Sequence, residues 1–239
     1  MEIKALIIHA DKFVERKLHM DRMLSEHTLS YDYVIKGAGD HISEEERNKY
    51  MEVDSKSPKM SMGAICCTLQ HFYAYEKIVE ENLPGALILE DDATLSSRFD
   101  KIFPLTIEEY SSCYSNENVI ISYEDSRLRF VPRSKREKGR FLYPMDRDRM
   151  AGIYFININA ARMILDDART QKCKLAIDLY HSQLLEQGKL TYLWCQPTIA
   201  SQGSFVGILG STLSTKKYKM EKLRWKILRT YKKLLYQIR

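Results

Sequence analysis

Apolar residues recur along this chain in two ways. Short unbroken runs bounded by turn signals read as strands buried on both faces, and longer stretches with apolar residues three and four apart read as helices. Lys4 to His9 is a first strand, followed by a loop at Ala10 to Val14 and a helix from Glu15 to Ser25 with Leu18, Met20 and Leu24 as an imperfect apolar face. Tyr31 to Lys36 is a second strand, closed by Gly37-Ala38-Gly39. Residues 40–60 are polar and charged, and Ser43 with Glu46 three places on predicts a capped short helix to Met51. Ser61 to Glu81 predicts a long helix through Ile65, Leu69, Phe72, Tyr75, Ile78 and Val79. Val119 to Ser122, Ile153 to Ile158 and Leu190 to Cys195 are further strands, and Ala160 to Ala168 and Ile177 to Glu186 further helices. Between them, Arg127 to Pro144 is a basic, proline-flanked excursion long enough for a hairpin or a loop over a ligand. This alternation, without internal repeats or low-complexity linkers, predicts an α/β fold.

One run organises the rest. After Pro84-Gly85, four apolar residues lead directly into Glu90-Asp91-Asp92, so a buried strand ends in three carboxylates at a sheet edge, where open α/β sheets bind ligands. Side chains alternate along an extended segment, which sends Glu90 and Asp92 to one side and Asp91 to the other. Two such carboxylates can share Mg²⁺ or Mn²⁺, and a cation relieves their repulsion. A solvated acidic turn is the other reading of the same residues.

The 239 residues carry a formal net charge of +5, but residues 216–239 hold ten Lys and Arg against Glu221 alone. Residues 1–215 are therefore mildly acidic, and the chain divides into a catalytic body, 1–215, and a basic tail, 216–239. In the tail, Met220, Leu223, Ile227, Tyr231, Leu234, Leu235 and Ile238 form an apolar stripe among Lys222, Lys226, Arg229, Lys232 and Lys233. Such a basic amphipathic helix suits an anionic membrane surface, with packing on the body or on a second subunit as the alternative. Nucleic-acid binding is disfavoured, because the acidic body does not continue the basic surface. Five cysteines without CxxC spacing argue against a zinc site and a disulfide framework. No apolar run approaches a membrane span or a signal-peptide core, so the expected location is cytoplasmic, peripheral on the inner face of the cytoplasmic membrane.

Several ordered motifs resemble glycosyltransferase family 25, which includes lipooligosaccharide galactosyltransferases, over roughly residues 3–205. Ile7-Ile8-His9, Asp11-Lys12 and Glu15-Arg16-Lys17 resemble its opening strand and arginine-rich turn, with His9 where asparagine is usual. Gly63, Ile65, Cys67, Leu69 and His71 resemble its glycine, cysteine and histidine signature, although Ala64 and Gln70 replace the expected glutamate and serine. Ala86 to Asp92 matches its strand and acidic motif without a break. Tyr154 to Asn157 with Ala161, Ile177-Asp178 and Pro197 to Gln202 resemble later segments, while Met150-Ala151 stands in place of a glycine-threonine pair.

The resemblance implies a GT-A-type single nucleotide-sugar-binding domain. It also implies a UDP-sugar donor, with UDP-galactose as the expectation, near His9, Asp11, Lys12, Arg16, Gly63 and Asp91, with the divalent metal on Glu90 and Asp92 and a glycan or glycolipid acceptor. Transfer needs stabilisation of the leaving diphosphate and a base for the acceptor hydroxyl. Asp178 is the candidate base, with helix capping as its structural alternative. His71 is a second candidate, although a lone histidine on an apolar helix face is usually a core residue. Cys67 has no base beside it in the sequence and reads as packing; Lys12, Arg16 and the arginines from Arg127 to Arg149 are candidate diphosphate contacts, with surface solvation as the reading for most of them. An aspartyl phosphatase is a weaker alternative, since Glu90 stands where its motif needs aspartate; a non-catalytic sugar or partner binder is another.

Overall fold

The computed structural model describes residues 2–37, 42–52, 60–206 and 219–238. In chain order the elements are β1 (Lys4–Ile8), α1 (Val14–Leu24), β2 (Tyr31–Val34), α2 (Glu44–Tyr50), α3 (Met62–Glu80), β3 (Gly85–Glu90), β4 (Ala93–Leu95) and α4 (Phe99–Cys113). There follow β5 (Val119–Ser122), β6 (Leu142–Pro144), β7 (Ile153–Asn157), α5 (Ile158–Gln171), α6 (Ile177–Glu186), β8 (Thr191–Cys195), β9 (Ala200–Gln202), α7 (Gly203–Val206) and α8 (Lys219–Ile238). Seven strands form one sheet in the order β2-β1-β3-β7-β5-β8-β6, and β4 and β9 pair separately. Strands β2, β1, β3, β5 and β8 run the same way, while β7 and β6 run against them.

The apolar runs are continuous because helices cover both faces of the sheet. Leu6, Ile8, Ala86, Ile88, Ile120, Tyr154 and Ile156 meet α3, α5 and α6 on one face. Ala5, Ile7, Leu87, Leu89, Ile121, Ile153 and Phe155 meet α1 and α4 on the other. Successive side chains thus enter opposite cores, and neither face tolerates a polar residue until the strands end.

The α/β class matches the expectation from the alternation, and the ends of most elements differ from it by one or two residues. Helix α2 begins with the expected reciprocal capping box between Ser43 and Glu46, and Ser61 caps α3 by accepting from the Ala64 amide. On α1, Leu18 is 58 % exposed, so only Met20 and Leu24 of the expected apolar face are buried. Helix α4 is absent from the sequence reading because Pro104 interrupts its interior. The excursion from Arg127 contains a single 3₁₀ turn, Arg133–Lys135, before β6, which closes the sheet against β8. Of the polar stretch before α3, residues 38–41 and 53–59 lie outside the described residues, as do residues 216–218 of the tail.

Met150, in place of the glycine of the resembling motif, has φ of 85°, a left-handed conformation that a side chain disfavours. Both Met150→Gly and Met150→Ala remove the side chain, but only glycine relieves the backbone. The glycine variant should therefore be more stable than the alanine variant by about 1 kcal/mol in urea unfolding. Equal stability would show that no strain is stored there.

Candidate active site

The parallel strands deliver their carboxyl ends to one edge, and the site is built there. His9 follows β1, Glu90-Asp91-Asp92 end β3, and Glu124-Asp125 follow β5. Because β7 runs the other way, its amino end brings Gly152 to the same edge, where its carbonyl accepts from the Glu90 amide at 2.8 Å. The three consecutive acids have separate partners. Asp91 accepts from Arg16 and pairs with His9 Nδ1 at 2.9 Å. Glu90 accepts from Gln202 Nε2 at 3.0 Å and lies 3.7 Å from Cys67 Sγ. Asp92 accepts from the Ser204 amide at 3.2 Å, so Glu90 and Asp92 both meet the 202–204 segment while Asp91 faces β1 and α1.

The cluster is electrostatically costly. Burial, then the charges of Asp92, Asp91 and Asp178, raise the Glu90 carboxyl from 4.5 to about 8, although 27 % of its side chain meets solvent. Burial lifts Glu124 to about 8 as well, with Glu90 adding to it. Glu124 accepts from the Gly152 and Ile153 amides at 2.8 and 3.1 Å. Burial also lowers His71 and His181 from 6.5 to about 3 and raises the Cys67 thiol.

Asp178 belongs to this group. It lies at the second position of α6, its charge is felt at Glu90, Cys67 and His71, and Arg127 donates to its Oδ2 at 2.9 Å. Ala176 is the N-cap of α6 and the helix has no side-chain cap, so Asp178 does not cap it. Gly63 is in the exposed first turn of α3, one turn before Cys67, and Asp11 and Lys12 lie exposed in the turn before α1.

Two readings of side chains need correction, and the reading of His71 as a core residue gains a contact. Cys67 has a carboxylate beside it, because α3 packs on β3 and sets residues 67 and 90 together. His71 is fully buried, yet its Nε2 points toward Glu90 Oε1 at 3.8 Å rather than only into the core. The excursion's arginines are not chiefly solvated: Arg127 and Arg129 pair with Asp148, and Arg149 is fully buried, 4.3 Å from the Trp194 ring.

Glu124, Asp125 and the contact of Gln202 with Glu90 were not singled out from sequence. A signal existed for the first two, since Val119 to Ser122 is an apolar run that leads into acids just as β3 does. Gln202 reaches Glu90 past Gly152, where an added Cβ would lie 2.1 Å from Gln202 Nε2. Gln70, in place of serine, donates to the carbonyls of His9 and Val34 at 2.6 and 2.7 Å, tying the ends of β1 and β2.

The site's chemistry also fits a cation. Asp92 Oδ1, Gln202 Oε1, His71 Nε2 and His9 Nε2 are buried without hydrogen-bond partners among the described residues. The oxygens beside the Glu90 carboxylate make a donor set suited to a hard divalent ion.

Residues 2–181 match the model of glycosyltransferase family 25, described as LPS biosynthesis protein, and the chain belongs to that family. The protein is thus a glycosyltransferase, which sets aside the phosphatase reading. No curated protein sequence matches. Among solved structures, a glycosyltransferase involved in the glycosylation of the major capsid of PBCV-1 aligns at 8 % identity and a TM-score of 0.45, over 94 % of this chain and 100 % of its own. Another is "a Putative Glucose-1-Phosphate Thymidylyltransferase from Bacillus anthracis in Complex with a Sucrose", at 14 % identity and a TM-score of 0.41, over 94 % of this chain and 75 % of its own.

The shifted groups set a pH dependence. The unfolded chain loses the Glu90 and Glu124 protons near 4.5 while the folded protein keeps them to about 8, so both groups weaken folding as pH rises across that interval. His71 and His181 weaken it as pH falls from 6.5 to about 3, because only the unfolded chain protonates them there. Above pH 6.5 the histidine contribution fades and the acids dominate. In chelator, the urea midpoint should fall between pH 6.5 and 8, and Glu90→Gln should remove about half of that fall. An unchanged slope would show that Glu90 is ionised in the apo protein.

Proposed function

We propose that this glycosyltransferase moves a hexose, galactose from UDP-galactose in our reading, onto a lipooligosaccharide, lipopolysaccharide or other surface-glycan acceptor with inversion at the anomeric carbon. The observation that carries the reading is that Asp92 beside Glu90 at the end of β3, and Asp178 at the start of α6, are near enough for their charges to act on Glu90 in a family 25 protein. Glu90 and Asp92 would hold Mn²⁺ or Mg²⁺, which contributes Lewis-acid stabilisation of charge on the departing diphosphate. His9, Asp11, Lys12, Arg16, Gly63 and Asp91 would contact the donor, with Arg16 held by its pairing to Asp91.

In the transfer, the acceptor oxygen bonds to the anomeric carbon as the bond from that carbon to the diphosphate oxygen breaks. UDP leaves with the electron pair. The hydroxyl proton passes to Asp178, whose Oδ2 is held by Arg127 so that the carboxylate is fixed in orientation. His71 is the poorer base, because its imidazole is fully buried and engaged with Tyr154.

With UDP-galactose, Asp92→Asn should abolish metal-dependent donor hydrolysis. Asp178→Asn should slow transfer by about 10² to 10⁴ while donor binding persists. Wild-type activity of Asp92→Asn in chelator would remove the metal role, and loss of donor binding by Asp178→Asn would remove the base assignment.

We further propose that the protein works in the cytoplasm, peripherally on the inner face of the cytoplasmic membrane, and reaches its acceptor through α8. Among the described residues, no helix is long and apolar enough to cross a membrane. Arg229 donates to the buried Asp125 at 2.7 Å and Tyr236 meets Phe130 at 5.8 Å, so this side of α8 faces the body. Ile227, Tyr231, Leu234 and Ile238 lie on the opposite side and are 60, 57, 54 and 87 % exposed. These four residues of the stripe therefore do not pack on the body, and with Arg224 and Lys226 also exposed they suit an anionic lipid surface. Sedimentation with anionic vesicles should fall sharply in Ile227→Glu/Leu234→Glu and in high salt. Wild-type protein that ignores vesicles but dimerises through the same residues would assign the stripe to a second copy.

A further inference from the structure

Beside the oxygen-rich edge lies a second set of donor atoms of different chemistry. Cys67 and His71 are one turn apart on α3, and both face Glu90 at the end of β3. Glu90 Oε1 is 3.7 Å from Cys67 Sγ and 3.8 Å from His71 Nε2, and the three donor atoms lie within 4.8 Å of one another. In a tetrahedral zinc site, bonds of about 2.3 Å to sulfur and about 2.0 to 2.1 Å to nitrogen and oxygen place such donors roughly 3.3 to 3.5 Å apart. The observed spacings need only a small inward movement to reach that arrangement.

The surroundings are those of a ligating imidazole. His71 is fully buried, its Nε2 has no hydrogen-bond partner among the described residues, and its Nδ1 is 2.7 Å from the Tyr154 hydroxyl. Tyr154 is bonded in turn to Tyr75, whose hydroxyl is 2.9 Å from His181 Nε2. A chain of this kind, with Nδ1–H donating to Tyr154, fixes the ring and leaves the Nε2 lone pair directed at the metal position. The Glu90 side chain is 27 % exposed, which gives an ion a path in, and a water would complete its four ligands.

We propose that Cys67, His71 and Glu90 form a binding site for a thiophilic divalent ion of the Zn²⁺ and Co²⁺ class, separate in ligand chemistry from the Glu90 and Asp92 oxygen set. One sulfur, one nitrogen and one oxygen donor select such ions over Mg²⁺ and Ca²⁺, which bind almost only through oxygen. Binding releases the thiol proton, and any proton on Glu90, to solvent. Because Glu90 serves both sets, filling this site draws its carboxylate away from Asp92. That consequence rests on the proposed transferase mechanism, whereas the site itself does not.

Cobalt titration of the reduced, full-length apoprotein tests the site without an activity assay. One equivalent of Co²⁺ should produce a near-ultraviolet thiolate-to-cobalt band with the strong visible absorption of a tetrahedral ion. Cys67→Ser should abolish the ultraviolet band, His71→Ala should weaken Co²⁺ binding at least tenfold, and Asp92→Asn should keep the band. In the wild-type protein, Co²⁺ should also protect Cys67 from alkylation, mapped by mass spectrometry, which keeps the test valid if a variant fails to fold. Co²⁺ bound without a thiolate band, a band that survives Cys67→Ser, or Cys67 alkylated equally with and without Co²⁺ would overturn the assignment. Each of these results leaves the Asp92 and Asp178 experiments with UDP-galactose free to succeed or fail independently.

Discussion

Three consecutive carboxylates at the end of a strand buried on both faces impose the main constraint on this protein. Such acids cannot leave water together unless each meets a different partner, because repulsion and lost hydration would drive them neutral. The chain meets the constraint with three separate arrangements. Asp91 turns to Arg16 and His9, Asp92 to the amide of Ser204, and Glu90 to Gln202 and the thiol of Cys67. Glu90 carries the raised carboxyl pKa, because burial and the charges of Asp92, Asp91 and Asp178 disfavour its ionised form, while Asp92 Oδ1 is buried without a partner among the described residues.

That arrangement depends on elements far apart in the chain. Gln202 can approach Glu90 only because residue 152 has no side chain, and Gly152 is at the edge only because β7 runs antiparallel to its neighbours. Glu124 secures the start of β7 by accepting from two of its amides. Asp125, next to it, accepts from Ser201 at 2.8 Å and from Arg229 of α8. The C-terminal helix and the segment that carries Gln202 are therefore tied to the same loop. A change in how α8 is held has a short covalent and hydrogen-bonded route to the acidic edge.

The departures from the family motif are compensated locally. Gln70 bonds to the carbonyl of His9, so the two replaced positions are neighbours and together close the ends of β1 and β2. Met150 keeps the left-handed backbone that glycine would adopt freely, which preserves the path of the chain into Gly152 at some cost in strain.

The sequence by itself determined the α/β class, most strands and helices, the caps at Ser43 and Ser61, the acidic edge and the family, because these follow from local period and contiguous motifs. It did not reveal α4, whose internal proline reads as a break, nor the second acidic pair at Glu124 and Asp125. Tertiary structure alone decided which groups meet: Cys67 and His71 with Glu90, Arg127 with Asp178, and Arg229 with Asp125. It also decided that Ile227, Tyr231, Leu234 and Ile238 of the apolar stripe of α8 turn outward. Helical period shows that a stripe exists, but its orientation depends on where the body offers a buried carboxylate to Arg229, and that pairing joins residues 104 positions apart. Contacts over such separations are set by the packing of whole elements, which local sequence pattern does not encode.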